Sequence, residues 1–475
     1  MSPSVFHGEL RKWWTLAAVA FGLFMIMLDN TVVNVALPSI QKDLGVDLSE
    51  LEWVVTGYAL TFAALMLIGG KLADMLGRRL IFVVGILAFT AASLACGLSD
   101  SGTMLIAARI AQGVGASLMS PASLSIITAT FPPKQRGTAI GIWAGVSALA
   151  LAIGPLTGGL LTEHLSWHWI FFVNVPVGIL GVVASFLLID ESRDESAVQT
   201  FDIPGLVTSA LGLFALTYGL IEANTYGWTS GRIIGAFLIA VVSLVAFVLL
   251  ERHQRVPMLD VTLFRSSTYV GANVVLLLVA LAMFGVFFFV SIYMQNILGY
   301  TAVRSGAAFL PMTLLIILVA PQAGRLADRI GSRVLMTTGM GMIGLHLLYY
   351  ATLDETATYL RLLPAFIVGG IGMALTMTPA TAAAMKAVPR DKAGVGSAVL
   401  NAFRQVGGSL GVALMGAIMA ARATTPPSVA GFLDGFHAAL VVAGLIAFVG
   451  AALAFVLVRH VPHHDVPPQV AAEAA

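Results

Sequence analysis

Residues 70–79 read GKLADMLGRR, and residues 324–333 read GRLADRIGSR, with six of ten positions identical at a spacing of 254 residues. Each copy follows one long apolar run and precedes another. A repeat of this kind predicts two homologous halves in the same orientation. That arrangement is typical of secondary transporters, which bind substrate between their halves.

The composition indicates a polytopic membrane protein. Of 475 residues, 58% are hydrophobic, only 10% are charged and 48 are glycine, which excludes an ordinary soluble protein. The single cysteine, Cys96, excludes an intrachain disulfide and a cysteine metal cluster. The first apolar run carries Asp29 and many further runs follow it, so it is interpreted as a membrane span and not as a cleaved signal peptide.

Fourteen apolar runs are long enough to be candidates for crossing a ~30 Å hydrocarbon core. They lie at about 14–35, 52–70, 81–98, 103–125, 138–160, 169–189, 203–221, 233–250, 270–294, 306–323, 335–352, 360–382, 396–419 and 437–458. The predicted fold is an all-α polytopic membrane protein with two six-helix bundles and an inserted helical hairpin. The predicted divisions are 1–190 and 269–460 for the bundles, 191–268 for a linker with the hairpin, and 461–475 for a disordered cytoplasmic tail.

The distribution of positive charge predicts the orientation. Of 25 lysines and arginines, 18 fall in segments on the side of the N-terminus and 5 on the other side. Because cytoplasmic loops carry the excess of lysine and arginine, both termini are expected in the cytoplasm.

Two opposite charges lie inside predicted spans. Asp29 is placed in the outer third of the first span, and Arg109 at a similar depth in the fourth. A charge at mid-bilayer costs about 2.5–3.5 kcal/mol even on lenient scales, so each requires a reason. One alternative is a permanent ion pair that fixes the helix register. The favoured one is a titrating pair, since apolar packing replaces a purely structural pair at little cost.

The repeated turn is a candidate cytoplasmic latch, with contacts that break when that side opens. Its residues are Gly70, Asp74, Gly77, Arg78 and Arg79 in the first copy, and Asp328 and Arg333 in the second. Glycines permit the tight turn, Asp74 lies near a helix N-terminus, and the arginines anchor at the interface. The alternative is an ordinary positively charged turn, which the second copy makes less attractive.

The fifth span is rich in glycine and contains a proline. Its marked positions are Gly145, Gly154, Pro155, Gly158 and Gly159. Proline removes a helix hydrogen bond and glycine lets another backbone come close, so we expect a kinked, tightly packed helix.

Several polar and aromatic side chains are candidates for lining a substrate cavity, although membrane interfaces and lipid-facing packing also explain such residues. The candidates are Asn30, Asn34, Trp53, Tyr58, Gln112, Trp143, Phe287, Tyr293, Gln295, Asn401 and Arg404. For Arg404, snorkelling or a gating role ranks above substrate contact. Glu222 is expected to be a solvated carboxylate.

Motifs of other functional classes are absent from the sequence. There is no Walker lysine loop, no HExxH helix and no histidine ligand cluster within a span. We therefore expect neither an enzyme nor an ATP-driven pump, and no metal or cofactor.

Five segments together resemble the fourteen-helix drug:proton antiporters of the major facilitator superfamily. Residues 28–38 (LDNTVVNVALP) resemble family motif D, 70–79 motif A, 105–116 motif B and 145–159 the antiporter motif C, while 293–311 resemble the seventh core helix and the loop after it. The resemblance implies export driven by the proton gradient, with Asp29 as proton carrier, Arg109 as its modulator and the fifth helix as a hinge. It implies no cofactor. His168 stands where the family usually has arginine.

The expected partners are protons, a lipophilic and often cationic small molecule, and the lipid bilayer, without nucleic acid. A periplasmic adaptor is not indicated, and the expected location is a bacterial inner membrane. The first alternative is a proton-coupled exporter of one endogenous metabolite, lipid or antibiotic. An ion channel is a more remote alternative, because it has no need of a twofold repeat with paired latches.

Overall fold

A computed structural model of the chain describes residues 10–193, 202–254, 261–388, 393–422 and 428–459. Within these ranges the regular secondary structure is entirely helical. The α-helices are α1 (Arg11–Leu44), α2 (Leu48–Leu76), α3 (Arg78–Gly97), α4 (Gly102–Thr130), α5 (Pro133–His164), α6 (Trp169–Phe172), α7 (Asn174–Leu188), α8 (Ile203–Tyr226), α9 (Gly231–His253), α10 (Ser267–Ile292), α11 (Ala302–Ala308), α12 (Leu310–Ile330), α13 (Ser332–Tyr350), α14 (Tyr359–Ala387), α15 (Ala393–Ala421) and α16 (Val429–Leu457). A 3₁₀ turn at Val261–Arg265 and a π-helical turn at Tyr293–Ile297 complete them.

The all-α membrane class is confirmed. Twelve helical segments of the described residues are long and apolar enough to cross a membrane. The α5 and α13 helices occupy the fifth and eleventh predicted spans with 32 and 19 residues, but they are not among those twelve. The count of fourteen spans therefore stays a prediction. The predicted tail, 461–475, lies outside the described residues.

Two spans are interrupted where proline prevents a continuous helix. The sixth divides into α6 and α7 at Val173, three residues before Pro176. The tenth divides into α11 and α12 at Phe309, with Pro311 in the first turn of α12. Proline has no backbone N–H and is tolerated in a first helical turn, so each helix restarts there.

The repeated turns share a backbone conformation. Gly77 and Gly331 occupy equivalent positions in the two copies, and their φ angles are 126° and 87°. Side chains rarely adopt such angles, so glycine permits each chain reversal between α2 and α3 and between α12 and α13.

Small residues bring the helices of each half together. In the N-terminal half α2 and α3 pack on α4, and α1 packs on α5, while in the C-terminal half α10 packs on α15 and α13 on α14. A Cβ on Gly115 of α4 would meet the Phe89 backbone of α3, and one on Gly411 of α15 would meet Leu281 of α10. The α8 and α9 helices form a hairpin, and α8 contacts both α2 and α15.

Candidate functional site

A buried ion pair joins the first and fourth helices. Arg109 Nη1 lies 2.5 Å from Asp29 Oδ2, with side-chain exposures of 1% and 0%. Because α1 extends to Leu44, Asp29 is the nineteenth of its 34 residues. Asp29 therefore lies near the middle of the helix, and its predicted depth in the outer third of the membrane stays a prediction.

Two amide side chains complete the surroundings of the carboxylate. Gln112 Nε2 donates to Asp29 Oδ1 at 2.9 Å, and Asn174 Nδ2 donates to the same oxygen at 3.2 Å. Gln112 also accepts a hydrogen bond from Arg109 at 2.7 Å, and Asn174 donates to Ser93 Oγ at 3.0 Å. Side chains of α1, α3, α4 and α7 therefore form one connected network.

The α2 helix holds the other side of the guanidinium. Arg109 Nε donates to the Val54 carbonyl at 3.0 Å. The guanidinium carbon lies 4.2 Å from the centre of the Tyr58 ring and 5.7 Å from that of Phe171. Cation–π contacts of this kind reach about 2 kcal/mol when water is excluded. The charged plane is thus fixed by a carboxylate, a carbonyl and two rings.

This geometry couples the protonation of Asp29 to the position of Arg109. Protonation removes the negative charge and leaves a buried guanidinium without compensation. Breaking a buried pair costs about 3–5 kcal/mol. A protonated Asp29 therefore favours a conformation in which Arg109 finds another partner or reaches water.

The glycines of α5 pack against the helix that carries Asp29. A Cβ on Gly154 would meet Thr31, and one on Gly158 would lie 2.7 Å from the Val32 carbonyl oxygen. On the adjacent face of α5, a Cβ on Gly159 would lie 2.8 Å from the Val303 Cα of α11. The α5 helix is therefore in close contact with α1 and with α11 of the other half.

A comparison with protein families decides the family. The profile described as Major Facilitator Superfamily matches residues 19–412. The chain belongs to the Major Facilitator Superfamily. As a facilitator it is a multi-pass membrane protein.

The curated relatives of this facilitator include resistance and export proteins. It is 39% identical over 463 residues to the puromycin resistance protein pur8 of Streptomyces alboniger, covering 94% of this chain and 92% of that one. It is 37% identical to the tetracenomycin C resistance and export protein of Streptomyces glaucescens, covering 87% and 77%. The multidrug resistance protein Stp of Mycobacterium tuberculosis is 39% identical, with coverages of 86% and 76%.

Solved structures support the same fold. A bacterial homologue of the human lysosomal transporter Spinster superposes with a TM-score of 0.68 at 17% identity, covering 95% of this chain and 98% of that one. The peptide transporter POT superposes with a TM-score of 0.66 at 16% identity, covering 93% and 95%.

The first copy of the repeated turn forms an ion pair within the turn. Arg78 Nη2 lies 2.9 Å from Asp74 Oδ1. Arg79 donates from Nη1 to the Ile189 carbonyl at 3.1 Å, and its backbone N–H donates to Glu191 Oε1 at 3.0 Å. Glycine at position 70 lets α2 lie close to α4, since a Cβ there would lie 3.3 Å from the Cβ of Pro121.

The start of the predicted linker is part of this facilitator's turn. The Ser192 carbonyl accepts from the Arg78 N–H at 2.8 Å, and Asp190 Oδ1 lies 2.5 Å from Arg11 Nη2. Glu191 and Ser192 are therefore bonded to the repeated turn and the start of α3, while Asp190 is bonded to the start of α1.

The second copy differs in the part that is described. Arg333 stacks on Phe455 of α16, with the guanidinium carbon 3.9 Å from the ring centre. The side chain of Asp328 lies outside the described residues, so its predicted latch role stays a prediction.

Not every glycine of the antiporter segment lies at a helix contact. Pro155 of α5 presents its carbonyl to Gly306 of α11, where a Cβ would overlap it. Gly145 is exposed, and no atom of the described residues lies within 4 Å of a Cβ built there. The tight packing expected of α5 thus holds at its outer glycines and is absent at Gly145.

The predicted cavity residues separate into two groups. Those that are half-buried are Asn30, Asn34, Trp53, Trp143, Phe287, Gln295, Asn401 and Arg404, and their role in a substrate cavity stays a prediction. Tyr58 and Gln112 are fully buried within the ion-pair network. Tyr293 is also fully buried, and it donates to the Asp354 carbonyl at 2.6 Å and stacks on Phe436. In this conformation these three do not line an open cavity.

Among the half-buried residues, three donate hydrogen bonds to other elements. Trp143 Nε1 of α5 donates to Ser123 Oγ of α4 at 3.1 Å. Gln295 donates to the Val35 carbonyl at 2.8 Å and so joins the two halves. Trp53 donates to Glu222 Oε1 at 3.3 Å. Glu222 is therefore not the purely solvated carboxylate expected from the sequence. Arg404 Nε is buried and has no hydrogen-bond partner in the described part of the chain.

The outer end of the sixth predicted span is held by stacking. His168 lies against Trp167 with ring centres 3.8 Å apart, and Trp167 Nε1 donates to Asp43 Oδ2 at 2.8 Å. The imidazole thus fills a packing position at the place where the family usually has an arginine.

Sequence reasoning missed Asn174 and Glu191. Asn174 stands in the short segment FVNVP beside a helix break, and a polar residue beside a proline inside an apolar run was the available signal. Glu191 lay in a charged segment that is typical of a solvated linker, and its partners on α3 are 111 residues and more away in sequence.

Proposed function

We propose that the protein is a proton-coupled efflux transporter of the fourteen-helix drug:proton antiporter type. It exports lipophilic, often cationic, compounds across a bacterial inner membrane, with both termini in the cytoplasm. The observation that carries the proposal is the fully buried Asp29 with its three donors, Arg109, Gln112 and Asn174. The names of the relatives, which include resistance and export proteins, support the same direction of transport.

The cycle alternates access between two states. In the outward-facing state Asp29 takes up a proton, which frees Arg109 and lowers the affinity for a cation. In the inward-facing state the proton leaves to the cytoplasm, and the restored negative charge favours a cationic compound. Each proton moving inward contributes about 2.3 kcal/mol per 100 mV, in addition to the pH gradient.

The packing of α5 supplies the mechanical connection. Gly154 and Gly158 contact the turn of α1 around Thr31 and Val32, immediately after Asp29. The adjacent face of α5, at Pro155 and Gly159, contacts α11. A change in the bonding of Asp29 that shifts α1 is thereby transmitted to the contact between the halves.

The test is substrate-induced proton release in proteoliposomes. With tetraphenylphosphonium as a lipophilic cation, we expect the wild-type protein to release protons on binding and Asp29→Asn to release none. Glu355→Gln removes an exposed carboxylate in a loop and serves as the matched control. Release by Asp29→Asn at the wild-type level would sink the proposed role of Asp29.

The range of compounds that the protein exports distinguishes a multidrug transporter from an exporter of one endogenous compound. A panel of structurally unrelated compounds, including puromycin, is tested for growth inhibition in cells with and without the protein. Protection against several unrelated compounds supports multidrug export. Protection against one compound alone supports a dedicated exporter with the same proton-coupled cycle.

A further inference from the structure

A second acidic side chain is buried at the contact between the two halves. Glu52, in the first turns of α2, is 2% exposed, and its Oε2 has no hydrogen-bond partner among the described residues. The surface that covers it is Gly416 of α15, where an added Cβ would overlap the Glu52 carboxyl group. We call this contact, made by Glu52 and Gly416, the outer gate, because both lie at the ends predicted to be extracellular.

Two further acidic residues lie close to Glu52. Asp47 caps the start of α2, and Glu222 of α8 accepts a hydrogen bond from Trp53, the next residue in the chain. Lys42 and Asp43, at the outer end of α1, are exposed to solvent. Two negative neighbours and a glycine surface surround the buried carboxyl group.

The cations of the packed helices are either engaged elsewhere or distant along the helix. Arg404 of α15 lies twelve residues before Gly416, which is about 18 Å along the helix axis. Arg422 at the end of α15 donates to Asp434, and Arg109 of α4 is bound to Asp29. Arg232 of α9 stacks on a tyrosine of α8. The arginines of α3 are at the opposite end of that helix. None of these supplies a counter-charge to Glu52 in the described part of the chain.

Transferring an isolated carboxylate into such a site is far more costly than transferring the neutral acid, so the group takes a proton when it is covered. When α2 and α15 separate at the outer gate, water reaches Glu52 and the ionised form becomes favourable. We propose that Glu52 is a second proton-binding site, and that its protonation permits the outer gate to close.

The hairpin acquires a role in this arrangement. Glu222 of α8 accepts from Trp53, the neighbour of Glu52, and Asn224 of α8 donates to the Ala417 carbonyl at 2.7 Å, next to Gly416. The α8 helix thus contacts both sides of the outer gate and holds a carboxylate beside Glu52. A negative charge at Glu222 favours the protonated, closed form.

The direction of the pH dependence follows from linkage. A proton that binds more tightly in the closed form than in the open form stabilises the closed form at low pH. Raising the pH removes that stabilisation, so the outer gate opens. This inference rests on the proposed alternating access, but its readout is a distance and needs neither substrate nor a proton gradient.

The experiment measures the separation of spin labels at Lys42→Cys on α1 and Ala421→Cys on α15, both exposed at the predicted outer ends. Cys96 is replaced by serine, and Asp29→Asn is included so that the Asp29 site cannot contribute. In this background we expect the longer distance to gain population as the pH rises from mildly acidic to mildly alkaline.

Adding Glu52→Gln should abolish that shift and keep the short distance at every pH, since glutamine is neutral and similar in shape. Glu355→Gln, the exposed control, should leave the shift unchanged. A shift that persists in Glu52→Gln, or a background without any shift, overturns the proposal. If Glu52→Gln is not recovered folded, Gly416→Ala is tested in its place, and it should populate the longer distance at every pH. A Gly416→Ala variant with the same pH-dependent shift as the background would also overturn the proposal.

Failure of this inference and failure of the proposed function are distinguishable. In one outcome, the distance depends on pH through Glu52, but substrate releases no protons. That result supports the outer gate and rejects the proposed antiporter. Proton release that depends on Asp29, with a distance insensitive to Glu52, gives the reverse result.

Discussion

Arg109 satisfies several partners at once, and only a guanidinium has the donors to do so. One nitrogen bonds Asp29 and Gln112, while Nε bonds the Val54 carbonyl and the plane lies over Tyr58. A lysine keeps the charge but presents a single ammonium group on a flexible stem. The network therefore depends on the shape of the cation as well as on its sign.

Removing either member of the buried pair is expected to destabilise the protein, and removing both is not. Arg109→Gln leaves Asp29 buried without its cation, which costs about 3–5 kcal/mol or forces Asp29 to take a proton. Asp29→Asn combined with Arg109→Gln should recover most of that loss. The free energy of unfolding in mixed micelles measures this cycle.

An exposed pair provides the control for the cycle. Arg361 and Asp354 lie 3.5 Å apart with side chains about half exposed, so Arg361→Gln should change the free energy of unfolding far less than Arg109→Gln does. Additive losses in the double variant of the buried pair would contradict the coupling of Asp29 and Arg109.

At the scale of helices, the glycines of α5 let it pack closely against two other helices, α1 and α11. A Cβ on Gly158 would lie 2.9 Å from the Val32 Cα, and that backbone atom cannot rotate away. Glycine at this position therefore sets the distance between α5 and α1, as small residues do in membrane helix packing.

Gly158→Ala is expected to force α5 away from α1 and to cost about 1–3 kcal/mol through overpacking. Transport of tetraphenylphosphonium should fall sharply, while the protein still inserts in the membrane. Gly145→Ala is the matched control in the same helix, because a Cβ built there has no neighbour within 4 Å in the part of the chain that the structure describes. Equal transport by the two variants would show that the α5–α1 contact has no part in the cycle.

At the scale of the whole molecule, the two halves meet at the ends predicted to be extracellular. Gln295 bonds Val35, and the Val303 N–H donates to Glu163 Oε2 at 2.8 Å. Close glycine contacts at Gly306 and Gly416 lie at the same end. A conformation closed at this end is consistent with the inward-facing state of the proposed cycle.

The orientation of the whole molecule is testable by cysteine labelling in intact cells. A membrane-impermeant maleimide should label Lys42→Cys and Ala421→Cys from outside, and Ile330→Cys only after permeabilisation, since 18 of 25 lysines and arginines lie on the side of the repeated turns. Labelling of Ile330→Cys alone in intact cells would reverse the predicted orientation.

The sequence by itself determined the membrane class, the repeated turn and the two residues that form the central ion pair. The length of an apolar run can be counted in the sequence alone. A charged residue inside such a run is also recognisable, because placing a charge in the membrane is energetically costly. The resemblance to the superfamily is also local in origin, because it rests on short sequence segments that are distributed along nearly the whole chain.

Only the tertiary structure decided which neutral groups complete the site. Gln112 and Asn174 reach Asp29 from 83 and 145 residues away. A polar residue in an apolar run is visible in the sequence, but the partner that it bonds across such a distance is not. The burial of Glu52 was equally hidden, because an acid in the first turns of a span is ordinary until Gly416 of a distant helix covers it. Local composition shows which residues need a partner, because polar groups in an apolar run must be compensated. The packing of helices that are distant in sequence determines which residues those partners are.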